Sequence, residues 1–335
     1  MAVMSKIYML LSKQVPRPSM WLLNTARAEL HYFVSPEGVP GGYAILSHVW
    51  DAQNEQSFQD LQALTAQCRI QGVNPRDSPA VASKIRQCCR LAELHGYEWV
   101  WIDTCCIDKT SSAELSEAIN SMFRYYYLAE LCYAYLADVD DLQGFAESKW
   151  HTRGWTLQEL LAPPVLLFIS RDWTTLGSKA DLATVVSRIT GIPTTVLKFE
   201  EPLSNVSIAQ RMSWAAFRQT TRLEDRAYSL MGIFGVNMPT LYGEGRRAFR
   251  RLQEEVMKQS VDTSLFAWGE ELESKYLSVE RFNPTASHQD HGYHSYLLAP
   301  SPYAFRYRRN TLFRPPTPIN LEWVRIFPTC LVYTK

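Results

Sequence analysis

Glu98-Trp-Val-Trp-Ile102, running straight into Asp103, is a short apolar run that ends on a carboxylate. Such a run is too short for a helix, and Gly96 lies just before it, so it reads as a buried strand. Upstream, Val81, Ile85, Cys88, Cys89 and Ala92 recur at helical spacing between Ala80 and His95, with Gly96 as the stop. Before that helix, Tyr43-Ala-Ile-Leu-Ser47 follows the Gly41–Gly42 break and reads as another buried strand. Downstream, Ser111 and Glu114 form a capping box opening a helix whose stripe is Leu115, Ile119, Met122 and Tyr126. Leu131 to Leu136 is a third strand. A helix over about 152–161 stops at Pro163–Pro164, and Val165 to Ile169 is a fourth strand. Strand and helix alternate through this stretch. The pattern predicts an α/β fold, a parallel sheet with helices on both faces.

In such sheets ligands bind outside the carboxyl ends of the strands. Ser47–Trp50, Asp103–Asp108 and the loop near Trp150 are therefore expected to meet on one face. Trp101 is expected to be buried, with Asp103 turned toward that face. Residues 51–79 are mostly polar, with Pro75 and Pro79, and read mainly as a loop suited to ordering on assembly. After Ser170 the chain reads as helical, at about 178–189, 205–217, 222–234 and 243–259. The helix 222–234 is expected to bury Ala227, Leu230, Met231 and Phe234 against 243–259, leaving Arg222, Glu224, Asp225 and Arg226 exposed or ion-paired. Residues 283–318 have the composition of a loop.

The 335 residues carry 34 Lys plus Arg and 34 Asp plus Glu, a formal net charge of zero. That balance lacks the electrostatic footprint of a general nucleic-acid or anionic-membrane binder. Hydrophobic residues make up 46%, which excludes a largely disordered chain. The apolar run Ile7–Leu11 is ended at once by Ser12 and Lys13, a poor signal peptide. No run approaches the roughly 18 apolar residues of a membrane span, and a cytoplasmic location is the expectation. Seven Cys, with the adjacent pairs Cys88–Cys89 and Cys105–Cys106, read as buried free thiols.

P-loop, G-x-G-x-x-G, H-E-x-x-H and G-x-S-x-G motifs are absent. His288, His291 and His294 are spaced as H-x-x-H-x-x-H, read either as a metal site or as a solvated loop. Cys105 or Cys106 with His48 and Asp103 can be drawn as a nucleophile set, or as packed thiols. Asp103 and Asp108 are either acid/base groups or acceptors for loop N–H groups. Glu159, one helical turn after Trp155, is either a helix-surface partner of Arg153 or a carboxylate lining the strand-end cleft.

Three separated stretches carry a further signal: Tyr43-Ala-Ile-Leu-Ser-His-Val-Trp50, Trp99-Val-Trp-Ile-Asp-Thr-Cys-Cys-Ile-Asp-Lys109 and Arg153-Gly-Trp-Thr-Leu-Gln-Glu-Leu160. There the chain resembles the fungal heterokaryon-incompatibility (HET) domain family, over about 43–170. Trp21-Leu-Leu-Asn-Thr25 resembles the lead-in. Met212-Ser-Trp-Ala-Ala216, Leu241-Tyr-Gly-Glu-Gly245 and Ser264-Leu-Phe-Ala-Trp268 resemble the region after the domain in vegetative-incompatibility proteins. Asp51 and Gly235 depart from the family's usual Gly and Asp. Such proteins often continue into a nucleotide-binding switch domain and repeats, so a short or truncated form is the expectation.

The resemblance implies non-self recognition that triggers programmed cell death. It also implies a fold similar to Toll/interleukin-receptor (TIR) domains, a flavodoxin-like parallel sheet. The domain plan that follows is a lead-in over 1–42, the TIR-like HET domain over 43–170, a helical extension over 171–269 and a tail over 270–335. Many TIR domains cleave NAD with a Glu in a W-C-L-x-E-L segment. Trp155-Thr-Leu-Gln-Glu-Leu160 is similar, with Glu159 in the Glu position and Thr156 replacing Cys. The resemblance thus makes Glu159 the candidate catalytic residue of an NAD nucleosidase that needs no cofactor. Ser47, His48 and Trp50 would line the nicotinamide side, with Asp103 and Trp155 nearby and Arg153 on the phosphates. The alternative is a non-enzymatic module acting by self-association. Either reading implies self-association and an incompatibility partner, without nucleic acid.

Overall fold

A computed structural model describes residues 18–51, 54–269 and 297–311. The chain forms two compact units, Met1–Trp150 with Gln158–Leu182, and His151–Leu157 with Ala183–Lys335.

The first unit is built on a seven-stranded sheet: β1 (Met20–Asn24), β2 (Glu29–Phe33), β3 (Ala44–His48), β4 (Trp99–Trp101), β5 (Leu131–Tyr135), β6 (Leu166–Ile169) and β7 (Thr175–Ser178), in the order β2-β1-β4-β3-β5-β6-β7. The four strands read from the sequence, β3 to β6, are its parallel centre. In chain order they lie 2-1-3-4, the order that opens flavodoxin-like sheets. The fold is α/β, but the sheet is mixed. β1 and β2 add an antiparallel hairpin at one edge and β7 an antiparallel strand at the other. The outermost strands β2 and β7 are half exposed, so they lack the continuous apolar runs that marked the central ones.

Helices α1 (Phe58–Gln71), α2 (Ser83–Leu94), α3 (Ser112–Leu128) and α4 (Thr156–Leu161) follow in the crossovers. Helix α1 corrects the reading of 51–79 as mainly loop. Ser57 and Asp60 cap each other reciprocally, Phe58, Leu61, Leu64 and Cys68 are buried, and Gly72 ends the helix at φ 68°. Its other positions are polar, which hid the stripe. At α3 the capping box is only half formed. Ser111 accepts from the Glu114 N–H, while the Glu114 carboxylate takes the Asp108 N–H instead. The expected helix over 152–161 shortens to α4, preceded by a 3-10 turn over Lys149–Thr152.

Alternation along the strands sorts the core onto two faces. Ile45 pairs in register with Trp101 and Cys132, and Trp101 packs on Tyr125 and Tyr126 of α3. On the other face Tyr133 stacks on His95, which follows α2. The helices therefore cover both faces, and Trp101 is fully buried.

The second unit is helical, with α5 (Ala183–Thr190), α6 (Thr194–Leu197), α7 (Ile208–Ser213), α8 (Asp225–Tyr228), α9 (Met231–Phe234) and α10 (Arg247–Gln259). The helix expected over 222–234 is two short ones, α8 and α9, and α9 ends at Gly235 with φ 66°. Ala227, Leu230 and Met231 are buried, but Ile233 takes the core position expected of Phe234. Glu224 and Asp225 are buried as well, contrary to the exposed or ion-paired turn that was expected. Glu224 Oε1 accepts the N–H groups of Gly243 and Gly245 at 2.8 and 2.9 Å, and Asp225 accepts from the Tyr242 hydroxyl at 3.0 Å. For Glu224, backbone donors in the 243–245 turn take the role that solvent or an ion-pair partner was expected to fill.

Candidate functional site

At the carboxyl end of β3 the chain places two polar residues in succession, and the strand sends them to opposite faces. Ser47 points to the face shared with α3 and α4. Its hydroxyl donates to Glu159 Oε2 at 2.5 Å and accepts the indole N–H of Trp150 at 2.8 Å. Ser47 and Trp150 are fully buried and Glu159 is 5% exposed. The Tyr126 hydroxyl donates to Leu46 O at 2.9 Å. Burial, and then the charge of Glu159, push its phenol well up. The carboxylate of Glu159 is thus held by a donor chain from Trp150 through Ser47, on a helix whose end is also fastened. Lys179 Nζ donates to the carbonyls of Leu160 at 3.0 Å and Pro163 at 2.6 Å. Burial lowers the Lys179 pKa to about 7. The reading of Glu159 as a surface partner of Arg153 is therefore incorrect, because a surface carboxylate would be solvated, whereas this one is buried and bonded to Ser47.

His48 faces the other way. Its ring lies between two carboxylates, Nε2 3.3 Å from Glu55 and Nδ1 3.8 Å from Asp103. Glu55 also pairs with Lys84 at the start of α2. Burial works to raise the Glu55 pKa, but His48 and then Lys84 hold it down at about 2. Trp50 is half exposed, donates its indole N–H to Asp103 at 2.7 Å, and has the Lys109 ammonium 4.0 Å from its ring centroid. Asp103 therefore lies at the strand-end face. Asp108 organises its loop, accepting from Thr110 N and Oγ1 and from Gln59.

An open cavity of about 420 Å³ adjoins this second cluster, lined by Glu55, Lys84, Tyr135 and Trp173 among others. Tyr135 ends β5, and its ring stacks on Trp173 at 4.4 Å. The cavity lies at the carboxyl ends of neighbouring β3 and β5, where the crossovers diverge to opposite faces, the usual ligand position in such sheets. None of these four residues was singled out from the sequence. Glu55 fell in the supposed loop, and only the strand-end position of Tyr135 could have pointed to it.

Ser47 and His48 therefore do not line one wall. Ser47 joins Glu159, whereas His48, Trp50 and Asp103 gather on the other side. Arg153 and Trp155 belong to the second unit. There residues 152–154 pair with Gln219 through Gln219 N to Thr152 O at 2.6 Å and Gly154 N to Gln219 O at 2.8 Å. Arg153 reaches Thr221 Oγ1 at 3.4 Å, and the Trp155 indole donates to Asp225. A Cβ on Gly154 would lie 2.4 Å from the Thr220 methyl, which explains glycine at this crossing.

Cys68, Cys88, Cys89, Cys105, Cys106 and Cys132 are free and buried. Burial pushes the Cys88, Cys89 and Cys106 thiols up, the reverse of an activated nucleophile. Among the described residues no group of three His, Cys, Asp or Glu is arranged to hold a metal. His288, His291 and His294, the Ile7–Leu11 run and most of 283–318 lie outside the described residues. Among the described residues no helix is long and apolar enough to cross a membrane.

The first two motifs, with the β3 and β4 ends they form, fall inside residues 43–146, which match the family model described as heterokaryon incompatibility protein (HET). This segment is thus similar to the HET domain. The chain is also 45% identical over 236 residues to the vegetative incompatibility protein HET-E-1 of Podospora anserina, an alignment covering 67% of this chain and 17% of that protein. The chain thus spans under a fifth of that relative's length. Residues 247–316 match a domain of unknown function. No solved structure matches the chain significantly. The matched segment contains Ser47, His48, Trp50, Glu55, Lys84 and Asp103, whereas Glu159 lies beyond the matched residues.

Proposed function

We propose that this chain acts in fungal vegetative incompatibility as a cell-death effector whose TIR-like HET domain cleaves NAD. The observation carrying the reading is the Ser47–Glu159 hydrogen bond, which ties the first motif to the third at the carboxyl end of β3. In this reaction the bond between ribose C1′ and the nicotinamide nitrogen breaks, and nicotinamide leaves neutral with the electron pair. Glu159 stabilises the resulting ribosyl cation and takes a proton from the water that adds to C1′, giving ADP-ribose. The carboxylate is buried in this conformation, so turnover requires a movement that exposes it to substrate. A covered site suits an effector that must be silent at rest.

The enclosure of Glu159 also favours a second reading, in which the Ser47–Glu159–Trp150 cluster is structural and the protein acts by self-association. Purified protein incubated with NAD over a hundredfold range of concentration separates the two. Nicotinamide release that rises more than linearly, and is abolished in Glu159→Gln at unchanged melting temperature, supports cleavage. Intact NAD throughout, with Glu159→Gln still inducing death, would leave the assembly reading.

A further inference from the structure

The cavity of about 420 Å³ at the carboxyl ends of β3 and β5 is not used by the proposed reaction, because Glu159 lies on the Ser47 side of β3 and this cavity on the His48 side. Its volume lies within the range of ligand pockets, roughly 300–1,000 Å³. One wall is aromatic. The Tyr135 hydroxyl donates to Arg171 O at 3.1 Å, which fixes the ring on which Trp173 stacks at an interplanar angle of 18°. Trp173 is half-buried and holds a left-handed backbone, φ 61°, in the turn between β6 and β7. Glycine or asparagine is usual in that conformation, so a tryptophan ring is kept at this cavity against local strain. The charged residues of the lining are Glu55 and Lys84. Glu55 Oε1 takes the Lys84 ammonium, the Asp51 N–H at 3.0 Å and the His48 ring at 3.3 Å, while Oε2 has no partner among the described residues. Lys84 Nζ gives one of its three N–H groups to Glu55 and has no other partner among those residues.

The charges of this pair cancel, so the wall gives no preference for an ion. What it offers is an open acceptor beside an open donor, which suits a group presenting a donor next to an acceptor. The ring of Trp173 adds a preference for a planar partner. We infer that this cavity binds a nucleobase of the adenine type, with its ring against Trp173, its exocyclic amine donating to Glu55 Oε2 and the neighbouring ring nitrogen accepting from Lys84 Nζ. A nucleoside and a nucleotide carry the same ring, and the neutral wall makes the phosphate indifferent. The inference does not depend on NAD cleavage.

Calorimetric titration of the whole chain with adenosine, AMP, purine riboside and ribose 5-phosphate tests it. Adenosine and AMP should bind with similar affinity. Purine riboside, which lacks the amine, should bind roughly tenfold more weakly, and ribose 5-phosphate should not bind. Trp173→Gly should weaken adenosine roughly tenfold, at a melting temperature close to the parent's because relief of the turn offsets the lost stacking. Phe217→Ala, which removes an exposed ring outside this cavity, should change nothing. Glu159→Gln should bind adenosine as the parent does, which keeps this site distinct from the proposed reaction centre. Purine riboside binding as tightly as adenosine would overturn the amine contact and the proposal with it. So would ribose 5-phosphate matching AMP, undiminished binding by folded Trp173→Gly, or no binding of adenosine at millimolar concentration.

Discussion

The hydroxyl of Ser47 donates a 2.5 Å hydrogen bond to the carboxylate of Glu159, joining residues 112 positions apart inside the first unit. The same oxygen accepts the Trp150 indole N–H, so one serine satisfies two buried polar groups. Ser47→Ala leaves both short of a partner and should destabilise the fold by about 2 kcal/mol. Ser47→Thr keeps the hydroxyl and should recover part of that loss. Urea denaturation of the two variants checks the prediction, and equal midpoints would contradict it.

Acid should weaken the cluster on the other face through Glu55. Its pKa is about 2 in the fold against an ordinary 4.5. A depressed carboxylate adds stability that is complete above 4.5 and disappears as pH falls through about 2. Between those values the unfolded chain binds the extra proton. Stability measured from pH 5 down to 3 should fall less steeply in Glu55→Gln than in the parent chain.

Lys179 should act in the opposite pH range. Burial lowers its pKa to about 7 from 10.5. Between those values the unfolded chain holds a proton that the folded chain has released, so this site makes stability rise with pH. The neutral amine still has two N–H groups for the carbonyls of Leu160 and Pro163. The stability difference between the parent and Lys179→Met should therefore shift in the parent's favour from pH 7 to pH 9. A difference constant across that window would show that Lys179 stays charged.

In the second unit, Glu224 satisfies the N–H groups of both Gly243 and Gly245. Glu224→Ala should cost about 2 kcal/mol by stranding two backbone donors. Glu224→Gln, whose amide oxygen still accepts, should cost less than half of that. Thermal unfolding and amide exchange at Gly243 and Gly245 read the difference, and protection unchanged in the alanine variant would refute the assignment.

The central strands and α2 were legible because each is an apolar run or a strong apolar stripe between clear breaks. Trp101 and Ile102 could hardly be anywhere but inside. Helix α1 was not legible, because only Phe58, Leu61, Leu64 and Cys68 face inward and the flanking Pro residues drew the reading toward loop. The edge strands failed for a related reason, since Glu29–Phe33 buries no residue fully. In the site, Glu159 could be singled out by its place beside Trp155, but its burial could not, since its partner Ser47 is 112 residues away in sequence.

Sequence alone determined which segments are buried strands, and hence that their carboxyl ends would gather at one edge of an α/β sheet. The two-residue period of a strand sets Ser47 and His48 on opposite sides, which the expectation of one shared nicotinamide wall overlooked. Only the tertiary structure decided which carboxylate each would meet. Ser47 takes Glu159 from α4, and His48 takes Glu55 from the turn before α1. Those pairings depend on how the crossover helices pack on the two faces. That packing follows from contacts between residues far apart in the chain, which no local pattern of residue types encodes.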